Sequence, residues 1–367
     1  MLVQRRVNIR AMKHEEERLF RLGLLLAGGG SRIRRQMAAV PTGGDIGEAL
    51  TAEQAPRALL QTARELATAE APTVLDRATG AGWRWVVPSD DEFPELLGTI
   101  TDPPLGLFVR GKVSSAKAVA IVGSRKATPY GRQVARLLGE ELAGAGVIVI
   151  SGMARGIDES AHRGALTVGG SSWAVWGAGP DRVYPPEHRE LAEELAENGA
   201  LLTEYLPGTP PRRHHFPERN RILAGLAVAV VVVEAAARSG ALVTARLAVE
   251  EGREVLAVPG NIFSEVSVGP NTLIRVGARP LLTPRDLFDA IGVTPESEQQ
   301  VKPDDGLLRY IPAGEALTAD DIAARAQVDV AAVTSDLMEL ELAGSVQRGP
   351  DGRYARARGA PADESAR

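Results

Sequence analysis

The sequence contains no cysteine. That removes disulfides, thiolate–metal centres and cysteine nucleophiles, and it suits a reducing compartment. Aromatic residues are scarce, at 4%, so a ring inside a polar segment stands out against its background. Positive charge is in deficit: 42 Lys and Arg against 47 Asp and Glu leave a formal net charge of -5. This excludes indiscriminate coating of duplex DNA by charge alone. It leaves room for a local basic site, because charges beyond roughly ten Å are screened by salt. Long apolar runs are also missing. The longest, residues 222–233, is too short to span a bilayer and suits a buried strand preceded by a helix end. The opening "MLVQRRVNIRAMKHEEERLF" is charged throughout and lacks the apolar centre of a signal peptide. A soluble cytoplasmic protein without membrane association is expected.

What is present is a chain of 367 residues, 44% hydrophobic, long enough for two or three domains. Residues 1–84 read as helical, and the turn "AGGGSR" between two helical stretches has the look of a helix–hairpin–helix-like unit. Such a turn can hold DNA backbone through its amides, and a plain packing domain fits the same pattern. From residue 85 to 291 apolar runs alternate with amphipathic stretches: "AVAIVGS", "VIVIS", "WAVWG", "ALLTEY", "LAVAVVVVEA" and "REVLAVPG" as strands, with helices between most of them. Strands alternating with helices predict a parallel sheet covered on both faces, a doubly wound α/β domain. Residues 292–310 read as a polar linker. In 311–358, Thr318 and Asp329 cap two helices before a two-stranded wing around "GPDG", which makes a winged helix. The tail, 359–367, is expected to be disordered.

Ligands of a doubly wound sheet sit at the carboxyl ends of its strands. Four glycine-rich turns fall there: "VGSRKATPYG", "SGMARGID", "WGAGPD" and "EAAARSGALVTA". None is a dinucleotide fingerprint or a P-loop. One such turn needs no more explanation than a tight bend. Four together, with Arg125 beside the first, favour binding of anionic oxygens by backbone amides and helix starts. The segment "RRHHFPERNR" adds Arg212, Arg213, Arg219 and Arg221 against one acid, Glu218. Its prolines predict an extended, stiff segment, so the two adjacent histidines point to opposite faces and do not make a metal site. A ring among arginines suits a cation groove with a base stacked on Phe216. The competing arrangement has Phe216 plugging the core and Arg219 and Arg221 bracing the loop against acids. No catalytic set stands out, and no cofactor is expected.

These motifs, in this order, resemble the DNA-processing protein A family, DprA, also called Smf. The resemblance is carried by "AIVGSRKATPYG", "SGMARGIDESAHRGAL", "WGAGPDRVYPPEH", "HHFPERNRILAGL", "VVVEAAARSGALVTARLAVEEGREVLAVPG" and "GPNTLIRVGA". It implies an extended Rossmann-like domain with a helical N-terminal part and a winged helix. It further implies a non-enzymatic homodimer that binds single-stranded DNA and loads the RecA recombinase during natural transformation, with single-strand-binding protein a further candidate partner. By position, Gly123, Ser124 and Arg125 fall on the family's phosphate-gripping turn, and Arg213 on a basic site residue. Phe216 falls on the aromatic that meets a base, and Arg219, Asn220 and Arg221 on the motif closing the pocket. Gly152, Ser239, Gly240 and Thr244, on the second and fourth turns, complete the expected contact set. Ala224 and Ala227 depart from the family's usual hydroxyl residues. A nucleotide-binding or nucleotide-hydrolysing enzyme on the same fold is the rival reading, although the glutamate of the phosphoribohydrolase turn is missing from "AARSGALVTA".

The second winged-helix helix carries Asp336, Glu339 and Glu341 and no Lys or Arg, so phosphates would repel it. Cations collect only on the wing, at Arg348, Arg353, Arg356 and Arg358. Protein contact or weak duplex binding is expected there.

Overall fold

The computed structural model describes residues 2–38, 55–294, 305–312, 315–342, 344–349 and 351–357. Most of the expected linker, Arg358 and the tail lie outside the described residues. Two compact units, Met1–Val293 and Thr294–Arg367, make up the chain.

The first unit is built on a nine-stranded sheet: β1 (Arg84–Val86), β2 (Leu107–Gly111), β3 (Ala118–Val122), β4 (Ile148–Ser151), β5 (Ser172–Val175), β6 (Ala200–Thr203), β7 (Ala229–Val232), β8 (Glu254–Ala257) and β9 (Arg279–Pro280). Its order is β1-β2-β6-β5-β4-β3-β7-β8-β9. The neighbours from β6 through to β9 are parallel, whereas β2 runs antiparallel to both β6 and β1. The sheet is therefore mainly parallel, with an antiparallel edge that strand–helix alternation does not reveal. β3, β4, β5 and β7 are buried along their whole length, and β3 and β7 accordingly read as unbroken aliphatic runs. β3 lies between β4 and β7 and pairs with both, Val119 meeting Val149 on one side and Ala229 on the other. The chain winds outward from β3 to β6 and returns at β7, so a crevice opens beyond the carboxyl end of β3.

Twelve helices of this unit are described: α1 (Leu2–Leu26), α2 (Ser31–Ala38), α3 (Arg57–Ala69), α4 (Ala71–Gly80), α5 (Glu95–Gly98), α6 (Pro129–Gly144), α7 (Ile157–Thr167), α8 (Arg189–Asn198), α9 (His215–Leu226), α10 (Gly240–Glu250), α11 (Val268–Arg275) and α12 (Pro284–Ile291). Alternate strand residues face opposite layers. Ala120, Val122, Ile150 and Val232 pack against α9 and α10. Val119, Ile121, Val149 and Val231 pack against α6, α7 and α12. A third cluster joins Leu22 of α1, Ala78 of α4, Trp83 and Trp85 to Trp176 and Leu195, with the Trp83 and Trp176 rings 5.4 Å apart. The N-terminal helices thus share a core with residues of the sheet.

Two expectations change in detail. "LAVAVVVVEA" supplies a strand only at Ala229–Val232, because α9 runs to Leu226. "RRHHFPERNR" is extended only up to its start: from His215 it is α-helix. Pro217 stands in the first turn, where a missing N–H breaks no intrahelical bond, so the proline that suggested an extended chain is compatible with a helix start.

The second unit contains α13 (Asp305–Leu308), α14 (Ala319–Ala326), α15 (Val330–Leu342), β10 (Val346–Arg348) and β11 (Tyr354–Arg356). Thr318 and Asp321 form a capping box at α14, and the Asp329 carboxylate accepts from Ala331 N at 3.2 Å at the start of α15. β10 and β11 pair antiparallel as the wing. Its described cations make contacts within the unit, although Arg348 and Arg353 remain exposed. Arg356 donates to the carbonyls of Leu308 and Ile311, Arg353 donates to that of Ala316, and Arg348 lies over the Tyr354 ring.

Candidate nucleic-acid interface

At the carboxyl ends of β3, β4 and β5, the loops and the start of α9 enclose a pocket lined by Arg125, Gly152, Ala154, Arg155, Tyr184, Pro185 and Phe216. The lining includes no carboxylate. Arg125 is exposed, has no carboxylate partner among the described residues, and holds its guanidinium 4.9 Å from the centre of the Phe216 ring. Tyr184 meets the same ring at 5.4 Å in a tilted arrangement. Phe216 is half-buried, backed by Gly177, whose missing Cβ would stand 3.0 Å from the ring. Two rings thus form a shelf, with a guanidinium parked on one of them.

Several of the turn amides already have partners within the protein. At the first, Glu234, buried beyond β7, accepts from Thr128 N at 2.9 Å and from the Thr128 hydroxyl, filling the positive end of α6. Gly131 must be glycine here, because a Cβ would collide with that carboxylate. The Ser124 hydroxyl accepts from Lys126 N within its own turn, while the Ser124 carbonyl accepts from Ile157 N at 3.3 Å. At the second, Asp158 accepts from Gly152 N at 3.1 Å and Ala154 N at 3.3 Å. At the third, Gly179 N donates to the Thr209 carbonyl at 3.0 Å. At the fourth, the Ser239 hydroxyl accepts from Ala241 N and the Asn220 amide donates to Gly240 O. The protein's own oxygens thus occupy the amides of Lys126, Thr128, Gly152, Ala154 and Ala241, and the guanidinium groups are the cations left facing the pocket.

The expected contact residues separate accordingly. The pocket brings together Arg125, Gly152 and Phe216. Arg213 is exposed on the turn before α9, with no ion pair among the described residues. Gly123 and Ser124 shape the first turn. Arg219 is buried, donates to the Val175 carbonyl at 2.7 Å and lies against Gly152, where a Cβ would strike its guanidinium. Burial holds its pKa down to about 10, with the Asp158 charge opposing, so it remains a cation beneath the pocket floor. The same burial pushes the Asp158 carboxyl up. Arg221 does not line the pocket. It is buried and engages Glu204 through two bonds of 2.6 Å, with Asp102 at 3.3 Å. Its donors are spent, and it braces the helix rather than reaching a ligand. Asn220 is buried against the fourth turn, and Thr244 is buried with its hydroxyl on Gly240 O. Ser239, Gly240 and Thr244 do not line the pocket.

His215 is turned inward, its Nδ1 3.2 Å from Gly177 O and its ring stacked on Tyr205. Burial, with help from neighbouring His214, holds its pKa down. Among the described residues no group of three or more His, Cys, Asp or Glu could hold a metal ion, and no helix is long and apolar enough to cross a membrane. Sequence reasoning missed Tyr184 and Arg155. Both lie in quoted motifs, and the scarcity of aromatics that drew attention to Phe216 applies equally to Tyr184.

Residues 84–292 match the family model of DNA recombination-mediator protein A. The chain belongs to that family. Residues 293–352 match the DprA winged helix domain, so the second unit is the family's own appendage. The chain is 42% identical to Protein Smf of Escherichia coli strain K12 over 292 residues, covering 74% of this chain and 77% of the relative. It is 36% identical to DNA processing protein DprA of Bacillus subtilis, over 66% of this chain and 83% of that one. Among solved structures, DprA of Streptococcus pneumoniae superposes with a TM-score of 0.65 at 31% identity, covering 73% of this chain and 95% of that one. DNA processing protein A of Helicobacter pylori, described for its single-stranded DNA binding mode, gives 0.51 at 27% identity, covering 56% and 95%. The mainly parallel α/β architecture and the winged helix are those of this family.

Proposed function

We propose that this protein binds single-stranded DNA in the pocket at the ends of β3–β5 and acts as a recombination mediator. The observation that carries the reading is the pairing of Arg125, a guanidinium without a carboxylate partner, with the Phe216 ring and neighbouring Tyr184. A nucleotide offers a phosphate and a flat base a few Å apart, and this pocket offers a cation and a ring at the same spacing. In the free protein Arg125 covers Phe216. An incoming phosphate draws the guanidinium away and leaves the ring face to the base. The exchange costs the protein a weak cation–π contact and gains a charge-assisted bond plus a stack, the latter worth roughly 1–3 kcal/mol. Exposed Arg213, three residues before Phe216, is placed on the chain to take a further phosphate.

Single strands fit better than duplex because the ring must meet an unpaired base. The rival enzymatic reading finds no carboxylate, imidazole or aliphatic hydroxyl on the lining. Dimerisation belongs to the same proposal. Exposed Val276 and Leu282 flank the short edge strand β9, and Ile262 and Phe263 stand exposed beyond β8, an apolar surface of the kind a partner covers. Transfer of the strand to RecA rests on family membership. The direct test is fluorescence anisotropy with single-stranded and duplex oligonucleotides at two salt concentrations. Tighter, salt-sensitive single-strand binding is expected; equal or preferential duplex binding would overturn the pocket reading.

A further inference from the structure

Arg155 lines the same pocket as Arg125 but differs from it in one respect: it already has a partner. Its Nε and Nη2 both engage Glu187. The pair is superficial, with side chains 58% and 47% exposed. Ion pairs so placed contribute little to stability and exchange readily. The backbone that carries them is fixed. Glu187 sits in a single helical turn, Pro186–His188, next to Tyr184 and Pro185 of the pocket wall. His188, 3% exposed, hydrogen-bonds through Nδ1 to the Met153 carbonyl at 3.0 Å, with Nε2 3.4 Å from Glu159. That bond ties the helical turn to the loop bearing Arg155. The pair can therefore open by side-chain rotation alone, without moving either loop.

We infer that Arg155 is a second phosphate ligand of the pocket, held in the free protein by Glu187 and released to the strand when DNA enters. The inference rests on the single-strand reading above and adds a device to it. Glu187 acts as a built-in competitor that occupies the cation, so polyanions too weak to displace a carboxylate engage Arg125 alone. A phosphate that also meets the ring shelf takes both guanidinium groups. Glu187 then stands beside a phosphate and repels it, which lowers affinity below what two free arginines would give.

The test is a double-mutant cycle on the full chain, with a fluorescent oligothymidine titrated across a salt series. Arg155→Ala should weaken binding several-fold and lower the slope of log K against log salt by about 0.7, one phosphate's worth on a single strand. Glu187→Gln should tighten binding several-fold. In the Arg155→Ala background most of that gain should vanish, because the glutamate acts chiefly through the arginine. All these side chains are exposed, and unchanged circular dichroism confirms that the variants fold. An equal gain from Glu187→Gln with and without Arg155 would mean a general charge effect and would overturn the inference. So would an unchanged slope in Arg155→Ala. If Arg125→Ala weakens binding while Arg155→Ala does not, the inference fails and the pocket reading stands. If neither does, or if the unmodified chain binds no oligothymidine, both fail.

Discussion

Replacing Arg221 by methionine is the sharpest test of which arginines of the "RRHHFPERNR" segment brace the fold and which are free to bind. Arg221 and Glu204 meet through two bonds of 2.6 Å, with side chains only 10% and 9% exposed. Their mutual attraction offsets a desolvation cost of several kcal/mol per ion, and removing one partner leaves the other charge buried. Arg221→Met should therefore cost about 3–5 kcal/mol. Asp102 is spared the same fate because Arg34 holds it with two bonds of 2.8 Å. Glu204→Leu alone should cost a similar amount, while the double variant should recover most of the loss, since an apolar pair of similar volume removes both charges. The assay is urea unfolding followed by tryptophan fluorescence. All four tryptophans, Trp83, Trp85, Trp173 and Trp176, are buried in the first unit, so the signal reports on it alone. A single-variant cost below about 1 kcal/mol, the range of exposed pairs, would refute the reasoning, as would additive costs in the double variant. The folded fraction of Arg221→Met should bind oligonucleotide within about twofold of the parent, the margin of a change under half a kcal/mol. A loss matching that of Arg125→Ala would return Arg221 to the ligand set.

Phe216→Ala should weaken single-strand binding by roughly 1–3 kcal/mol, about five- to 150-fold, across base sequences, and equilibrium anisotropy reads it directly. His162 is held down to about 3 by burial, then by the charges of His188 and Arg219, whereas the unfolded chain takes up its proton near 6.5. Its contribution is thus complete above pH 6.5 and is lost at about 1.4 kcal/mol per pH unit as pH falls toward 3. Urea midpoints between pH 7 and 4.5 should show that slope, and His162→Gln should flatten it. Arg356→Ala should raise amide exchange in the wing, because its guanidinium fastens α13 to β11, while oligonucleotide affinity stays within about twofold.

The alternation of strand and helix was legible because it is local. "AVAIV", with a threonine-capped helix after it, can be little else than a buried parallel strand feeding a helix. The turns were legible for the same reason. What was not legible lay in contacts far apart in sequence. Glu204 and Asp102 stand 17 and 119 residues from Arg221, and nothing near "RNR" announces them. Glu234 is 106 residues from Thr128, so the amides of a glycine-rich turn looked available when they were already taken. Pro217 shows a different limit. Proline stiffens an extended segment and also suits the first turn of a helix, and the choice was made by the packing of Ile222, Leu223 and Leu226 onto the sheet. The antiparallel edge at β1 and β2 is likewise a tertiary outcome.

The central claim is that guanidinium groups and a ring, rather than turn amides, grip the strand. It is tested most directly by the salt dependence of oligothymidine affinity for the parent chain and for Arg125→Ala/Arg213→Ala. Each phosphate neutralised on a single strand contributes about 0.7 to the slope of log K against log salt. The double variant should bind more weakly and lose about 1.4 from that slope; an unchanged affinity and slope would contradict the account.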